Sequence, residues 1–232
     1  MNLYEKKVVF FTILTTLICL DGCGIYWKGR TPEYEKFRYT CSDSPAIHSI
    51  TIKETEVPVR ICTSENDKIY FHYYLPDDDS SRYEIGEEKG TLSVKNITRP
   101  NMGIFIAGDE SESDSYKEVK LELFLPEDFD GRLELSTSDS DIWTGAVALE
   151  EMKAESYDGD IIFENTVIKE GLNISTRYGD IRGTLAGDPA DSSLEMELSA
   201  KDGEIQLSYI DGSVFSASSS LQVFSKPFII VS

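Results

Sequence analysis

The sequence predicts an all-β domain wound as a β-solenoid behind an amino-terminal signal or anchor segment, and three observations carry that expectation. A ten-residue pattern occurs four times, at 133–142, 152–161, 172–181 and 196–205, with starts 19, 20 and 24 residues apart. Around it lie strand-sized segments that alternate apolar and polar residues at period two. After the amino-terminal segment, no window of twelve or more residues keeps a helical period. Self-similarity at about 20 residues with strand-like content is the mark of a repeat architecture.

Composition sets the outer limits. At 232 residues, 40% of them apolar and 11% aromatic, the chain can afford a packed core. Its net charge is −20, and since the first thirty residues hold four cations against two acids, residues 31–232 carry 18 basic and 40 acidic side chains. Such a surface repels phosphate backbones and anionic headgroups, which argues against nucleic acid as a partner.

In chain order, Lys6 and Lys7 precede an unbroken apolar or Thr-containing run of thirteen residues from Val8 to Leu20, the length of a signal-peptide core. Two continuations are open. Leu20-Asp21-Gly22-Cys23 is similar to a bacterial lipobox, with Cys23 as the lipidation candidate and Asp21 as a departure from the pattern. Alternatively the run extends through Tyr26 and Trp27 into an uncleaved membrane anchor with an interfacial aromatic pair. Residues 1–27 are therefore expected to tether an exported chain to the extracytoplasmic face of the cell membrane, as a lipoprotein or by a span. Residues 28–46, polar and mixed in charge, read as a linker, and 47–232 as the repeat-containing domain.

Within that domain, 47–52, 57–61, 68–74, 91–94, 103–107 and 119–125 are strand candidates, separated by turn chemistry at 65–67 and 76–80. Residues 108–115, with four acids and three Ser, read as a solvated loop. Each copy of the repeat then contains two strand-sized pieces about a small-residue turn. Gly159, Gly179 and Gly203 share one slot, where a positive φ would suit glycine, while Ser140 holds it in the first copy. A hairpin meander and a solenoid both fit. The solenoid accounts better for chemically matched positions, because Ile142, Ile161, Ile181 and Ile205 would stack into one interior row. The extra residues at 187–191 would bulge from a corner, and the apolar segment from Val214 to Val231 would cap the stack.

These residues resemble the bacterial putative-adhesin family of unknown function, also called the toastrack domain. The matching features are the tandem of strand, small-residue turn, Gly-Asp-Ile and strand, best seen at 152–161 and 172–181, and the lead-in strand at 119–126 ending in Pro126. Ser140-Asp141 and Glu204 depart from it. The resemblance implies a β-helix-like exterior domain on a membrane-tethered protein, and no known active site.

Candidate chemistry is sparse. Asp141, Asp160, Asp180 and Glu204 would line one edge of a solenoid, where a Ca²⁺ ladder is one reading and turn-forming acid beside glycine the blander one. The calcium-binding nonapeptide pattern is absent. Asp139, Asp141, Asp158 and Asp160 could supply a glycosidase-like carboxylate pair, though solvated surface charge explains them as well. His48 and His72 sit on alternating strands with no nucleophile pattern nearby, and no phosphate loop or dinucleotide fingerprint occurs. Tyr70, Phe71, Tyr73 and Tyr74 could form a ligand or glycan platform, or be split between core and surface. Asn96-Ile97-Thr98 and Asn173-Ile174-Ser175 match glycosylation acceptors, which matter only in a eukaryotic secretory pathway. Cys41 and Cys62 could pair after export or remain free thiols. The expectation is a non-enzymatic, cofactor-free adhesin, envelope scaffold or sensor. Its partner would be an envelope protein or glycan. The alternatives are a Ca²⁺-dependent binding module and a glycan-active enzyme.

Overall fold

The computed structural model describes residues 33–77, 80–98, 119–186 and 194–209, together with the backbone of 214–217, 220–224 and 228–231. The tether segment with Cys23, the strand and loop expected at 103–115 and the insertion at 187–191 lie outside the described residues. The strands are β1 (Tyr34–Thr40), β2 (Ser49–Lys53), β3 (Val59–Thr63), β4 (Tyr70–Pro76), β5 (Ser81–Glu88) and β6 (Thr91–Thr98). Then come β7 (Leu121–Leu125), β8 (Arg132–Thr137), β9 (Ile142–Thr144), β10 (Ala148–Ser156), β11 (Ile161–Thr176) and β12 (Ile181–Ala186). The last are β13 (Glu195–Ala200), β14 (Ile205–Tyr209), β15 (Val214–Ala217), β16 (Ser220–Phe224) and β17 (Phe228–Val231).

Two ladders run through these strands, and β11 belongs to both. The first stacks β1, β4, β7, β3, β9, the front of β11, β12, β14 and β15 in that spatial order. The second stacks β5, β6, β2, β8, β10, the rear of β11, β13, β16 and β17. From β7 to β14 and from β6 to β13 every neighbour pair is parallel. This decides for the solenoid, since hairpin neighbours must pair antiparallel. The end strands are antiparallel, so the open edges of the parallel stack are covered. Stacking order departs from chain order in one place: the coil of β2 and β3 is inserted between that of β6 and β7 and that of β8 and β9.

The expected isoleucine row is formed and is longer than the repeat. Leu121, Val59, Ile142, Ile161, Ile181 and Ile205 align across six strands of the first ladder, each at most 1% exposed. On the second ladder Leu92, Ile50, Leu133, Met152, Leu172 and Met196 form the opposing row. Sequence alternation does this because side chains on a strand change face at every residue. β11 bends from one ladder to the other at Asn165 (φ 57°), where the register shifts and a residue tolerant of the left-handed region is needed. Lys89 (φ 51°) and Gly90 (φ 77°) make the two-residue turn between β5 and β6, with positive φ at both positions as a type I′ hairpin requires.

Two expectations need correction, and the alternatives open for Cys41 and Cys62 are resolved. Part of the stretch read as linker is strand β1, because Phe37 and Tyr39 pack on Tyr73 and Phe71 of β4, with centroids 5.5 and 5.3 Å apart. Two inward aromatics are too few to show a period without that partner. Gly159, Gly179 and Gly203 do not have the positive φ expected of them. They are required by close approach: a Cβ would lie 2.3 Å from the Ser140 carbonyl oxygen at Gly159, 2.1 Å from that of Gly159 at Gly179 and 2.0 Å from that of Gly179 at Gly203. Ser140 holds the slot in the first copy, where the adjoining corner, residues 54–58, is one residue longer than the corner 138–141. Finally, Cys41 and Cys62 are free thiols. Cys62 aligns with Phe124, Phe124 with Tyr70 and Tyr70 with Thr40. Cys41 therefore lies about three strand spacings, ~14 Å, from Cys62, beyond the ~7 Å that a disulfide spans.

Gly179→Ala is expected to lower unfolding free energy by about 1–3 kcal/mol, the cost of overpacking a tight stack, whereas Gly86→Ala, with nothing within 4 Å of the added Cβ, leaves it unchanged or raised; urea denaturation of both variants checks the contrast. Burial pushes the Cys41 thiol up to about 12. Peptide mapping after iodoacetamide at pH 8 should find Cys41 unmodified in the native chain and modified in urea without added reductant; protection that persists in urea until a reductant is added would indicate a disulfide instead.

Candidate functional site

The sequence-predicted acids do come together, on the corner between the two ladders. The Asp160 amide donates to Asp141 Oδ1 at 2.8 Å, the Asp180 amide to Asp160 Oδ1 at 2.9 Å and the Glu204 amide to Asp180 Oδ1 at 2.9 Å. The backbone ladder runs alongside, with the amides of Ile142, Ile161 and Ile181 donating to the carbonyls of Asp160, Asp180 and Glu204. Each aspartate thus satisfies an amide that the parallel ladder leaves over at the corner, and an anionic acceptor strengthens such a bond. Glu204 closes the row, and the strand beside β14, β15, is antiparallel. Inside the corner, Thr137 and Thr176 hydroxyls donate to the carbonyls of Ser140 and Gly159 at 2.8 and 3.0 Å.

With one oxygen of three acids committed to amides, the row is poorly disposed to encircle a cation. Asp160 Oδ2 is engaged by Arg182 at 2.5 Å, and among the described residues no group of three or more His, Cys, Asp or Glu side chains could hold a metal ion. Asp139 and Asp158 are exposed on the same corner, and their amides donate to the Thr55 and Ser138 carbonyls at 2.9 and 2.7 Å. Neighbouring Tyr157 and Tyr178, each 47% exposed, meet edge to face with Arg177 over both rings.

The histidines are placed apart. His48 Nδ1 is 2.7 Å from the Gly90 carbonyl, packed on the β5–β6 turn. His72 lies 3.9 Å from Glu122; burial first, then Lys36, lower its pKa, and Glu122 opposes this only in part.

Alternation splits the aromatic cluster. Phe71 and Tyr73 face the core side, while Tyr70, His72 and Tyr74 lie on the outer face of the first ladder. There the Arg38 guanidinium stacks on Tyr70 at 3.9 Å, Tyr70 stacks on Phe124 at 4.6 Å, Lys36 lies 5.7 Å from the Tyr74 ring and Arg60 5.5 Å from that of Trp143. Glu122, at the centre, is met by Lys120 at 3.1 Å and Lys36 at 3.8 Å.

Two acids unmarked by the sequence tie the inserted coil and the first strands together. Glu54, 5% exposed, accepts from Tyr83, Asn96 and the Thr55 amide; desolvation raises its carboxyl pKa against the opposing pull of those bonds. The acceptor-motif residue Asn96 is thereby spent on an internal bond. Glu87 accepts from Tyr39 at 2.7 Å and from the Ser42 hydroxyl at 2.5 Å, and these bonds lower its pKa while Tyr39 rises to about 12. An acid beside Thr or in a polar strand carries no sequence signal of the partner it will meet, which explains why neither was anticipated.

A family model described as Toastrack DUF4097 matches residues 47–148 and again 131–223. Among solved structures the chain is similar to a putative cell adhesion protein from Clostridium sporogenes ATCC 15579, at 11% identity and a TM-score of 0.55, covering 77% of this chain and 100% of that one. It also aligns with a putative adhesin from Bacteroides fragilis NCTC 9343, at 13% identity and a TM-score of 0.26, over 78% of this chain and 98% of the other. No curated protein matches. At 11% identity the first likeness shows the fold alone.

Asp160→Ala is expected to cost about 1–2 kcal/mol by stranding the Asp180 amide, Asp160→Asn to retain most of that stability through its own Oδ1, and Glu204→Ala to cost little. Thermal and urea unfolding of the three variants measures this; a Ca²⁺-dependent rise in melting temperature abolished by Asp160→Asn would instead favour the cation ladder.

Proposed function

The chain belongs to the Toastrack DUF4097 family, and from that premise we propose that it is a non-catalytic, extracytoplasmic binding module, tethered to a bacterial cell membrane by its amino-terminal segment and acting in adhesion or as an envelope scaffold. The observation that carries the reading is the corner ladder: the acids with the best claim to chemistry are joined to the backbone of the next coil, which leaves broad strand faces as the surfaces on offer. Stacked coils of this kind suit extended contact with a partner. The basic start, the thirteen-residue apolar run and Cys23 support export and tethering. Among the described residues no helix is long and apolar enough to cross a membrane.

The test uses the full chain with a carboxy-terminal tag in a bacterial host. The tag should be found in the membrane fraction and be removed by protease added to intact cells; a tag that is cytoplasmic and protected would overturn the proposal. Cys23→Ser should release the chain to the medium or trap its precursor if a lipid is the tether, and leave it membrane-bound and mature if the span is.

A further inference from the structure

We infer that the outer face of the first ladder, between β1 and β9, is a binding track for an acidic polysaccharide; this gives the binding reading above a ligand class and rests on it. The row runs across neighbouring strands as Arg38, His72, Glu122, Arg60, Trp143 and Ile162. Beside it lie Lys36 and Tyr74, aligned across β1 and β4.

Cations held over rings distinguish this face. The chain as a whole carries −20, and on the outer face of the second ladder Arg132 pairs with Glu150 and Glu151, and Lys153 with Glu134 and Glu155, all within 3.5 Å, while Lys53 and Lys95 stand side by side across β2 and β6 with no aromatic ring beneath them among the described residues. That face also holds a groove of about 440 Å³, but one lined by both signs of charge. On the first ladder Glu122 is already met by Lys120 and Lys36, and Glu164 lies on the outward-facing side of β11. Arg38 and Arg60 are held over aromatic rings, and among the described residues neither is within ion-pair distance of a carboxylate. They are two oriented guanidiniums with their in-plane donors unspent on acids, the group best suited to a carboxylate or phosphate.

Geometry narrows the anion. Strands β1, β4, β7, β3 and β9 present successive positions about 4.8 Å apart, close to the advance of one sugar ring in an extended polysaccharide. Arg38 and Arg60 are three strands apart, and Trp143 follows Arg60 on the next strand. Gly145 leaves the indole room to lie against the sheet, since a Cβ there would come within 3.0 Å of it. A linear chain crossing the strands would thus meet Arg38, then His72 and the lysine-paired Glu122, then Arg60 and the Trp143 indole. Ring faces take the apolar faces of sugars, and guanidiniums take the acidic substituents. Duplex nucleic acid, with one charge per about 1.7 Å of its axis, is repelled more strongly by the surrounding acidic surface.

The experiment measures binding of the full chain, held in neutral phosphatidylcholine nanodiscs, to polygalacturonate, to its methyl ester and to phosphatidylglycerol vesicles. Expected are binding to polygalacturonate that weakens as salt rises, none to the neutral ester, and about a tenfold or greater loss of affinity in the double variant Arg38→Gln, Arg60→Gln and in Trp143→Ala, with Arg132→Gln on the second ladder unchanged. Unfolding curves establish that the variants are folded, and the salt dependence of the unaltered chain stands even where one is not. No binding to polygalacturonate, equal binding to the ester, an equal loss in Arg132→Gln, or capture by vesicles alone would each overturn the inference. Surface exposure of the tagged chain is read separately, so failure here leaves the tether reading intact, and failure there is seen without this assay.

Discussion

Everything in this domain depends on coils stacking in parallel register at one strand spacing. That single constraint aligns Leu121, Val59, Ile142, Ile161, Ile181 and Ile205 into a continuous apolar row facing a second row of Leu, Ile and Met. Burying side chains of this size is worth about 1.5–3 kcal/mol each, and a slip of one residue would turn every one of them to solvent. Register is therefore held by the whole row at once.

The same constraint acts most severely at the corner, where backbone meets backbone. Carbonyl oxygens of one coil press on the next so closely that Gly179 and Gly203 have no space for a Cβ. The amides there cannot all find strand partners, and the aspartates of the coil before supply the missing acceptors. Glycine and aspartate recur together because they solve two halves of one packing problem. A recurring acid on a repeat protein is thus weak grounds for a metal or catalytic site until its oxygens are accounted for.

Ends of the stack obey different rules. The parallel ladder would leave unpaired edges, and antiparallel strands cover them on both sides. At the amino-terminal end this covering brings β1 and β4 alongside β7 and gathers rings and cations onto one outer face. Capping and display are consequences of the same arrangement. Fold alone does not assign function, but it does decide which surfaces remain available for it.

The sequence by itself determined the strand class, the period and the inward row at Ile142, Ile161, Ile181 and Ile205, because those follow from alternation and spacing along the chain. It also marked the corner acids, without revealing their task. Only the tertiary structure decided that the coil of β2 and β3 lies between two later ones, that Gly159, Gly179 and Gly203 answer to a neighbouring carbonyl and not to φ, that Glu54 is bonded inside and that Glu87 ties β5 to Tyr39 of β1. It also decided that Cys41 and Cys62 stand too far apart to pair and that Arg38 and Arg60 share a face. Each of these turns on which strand comes to lie beside which, a relation between residues distant in the chain, and local pattern carries no record of it.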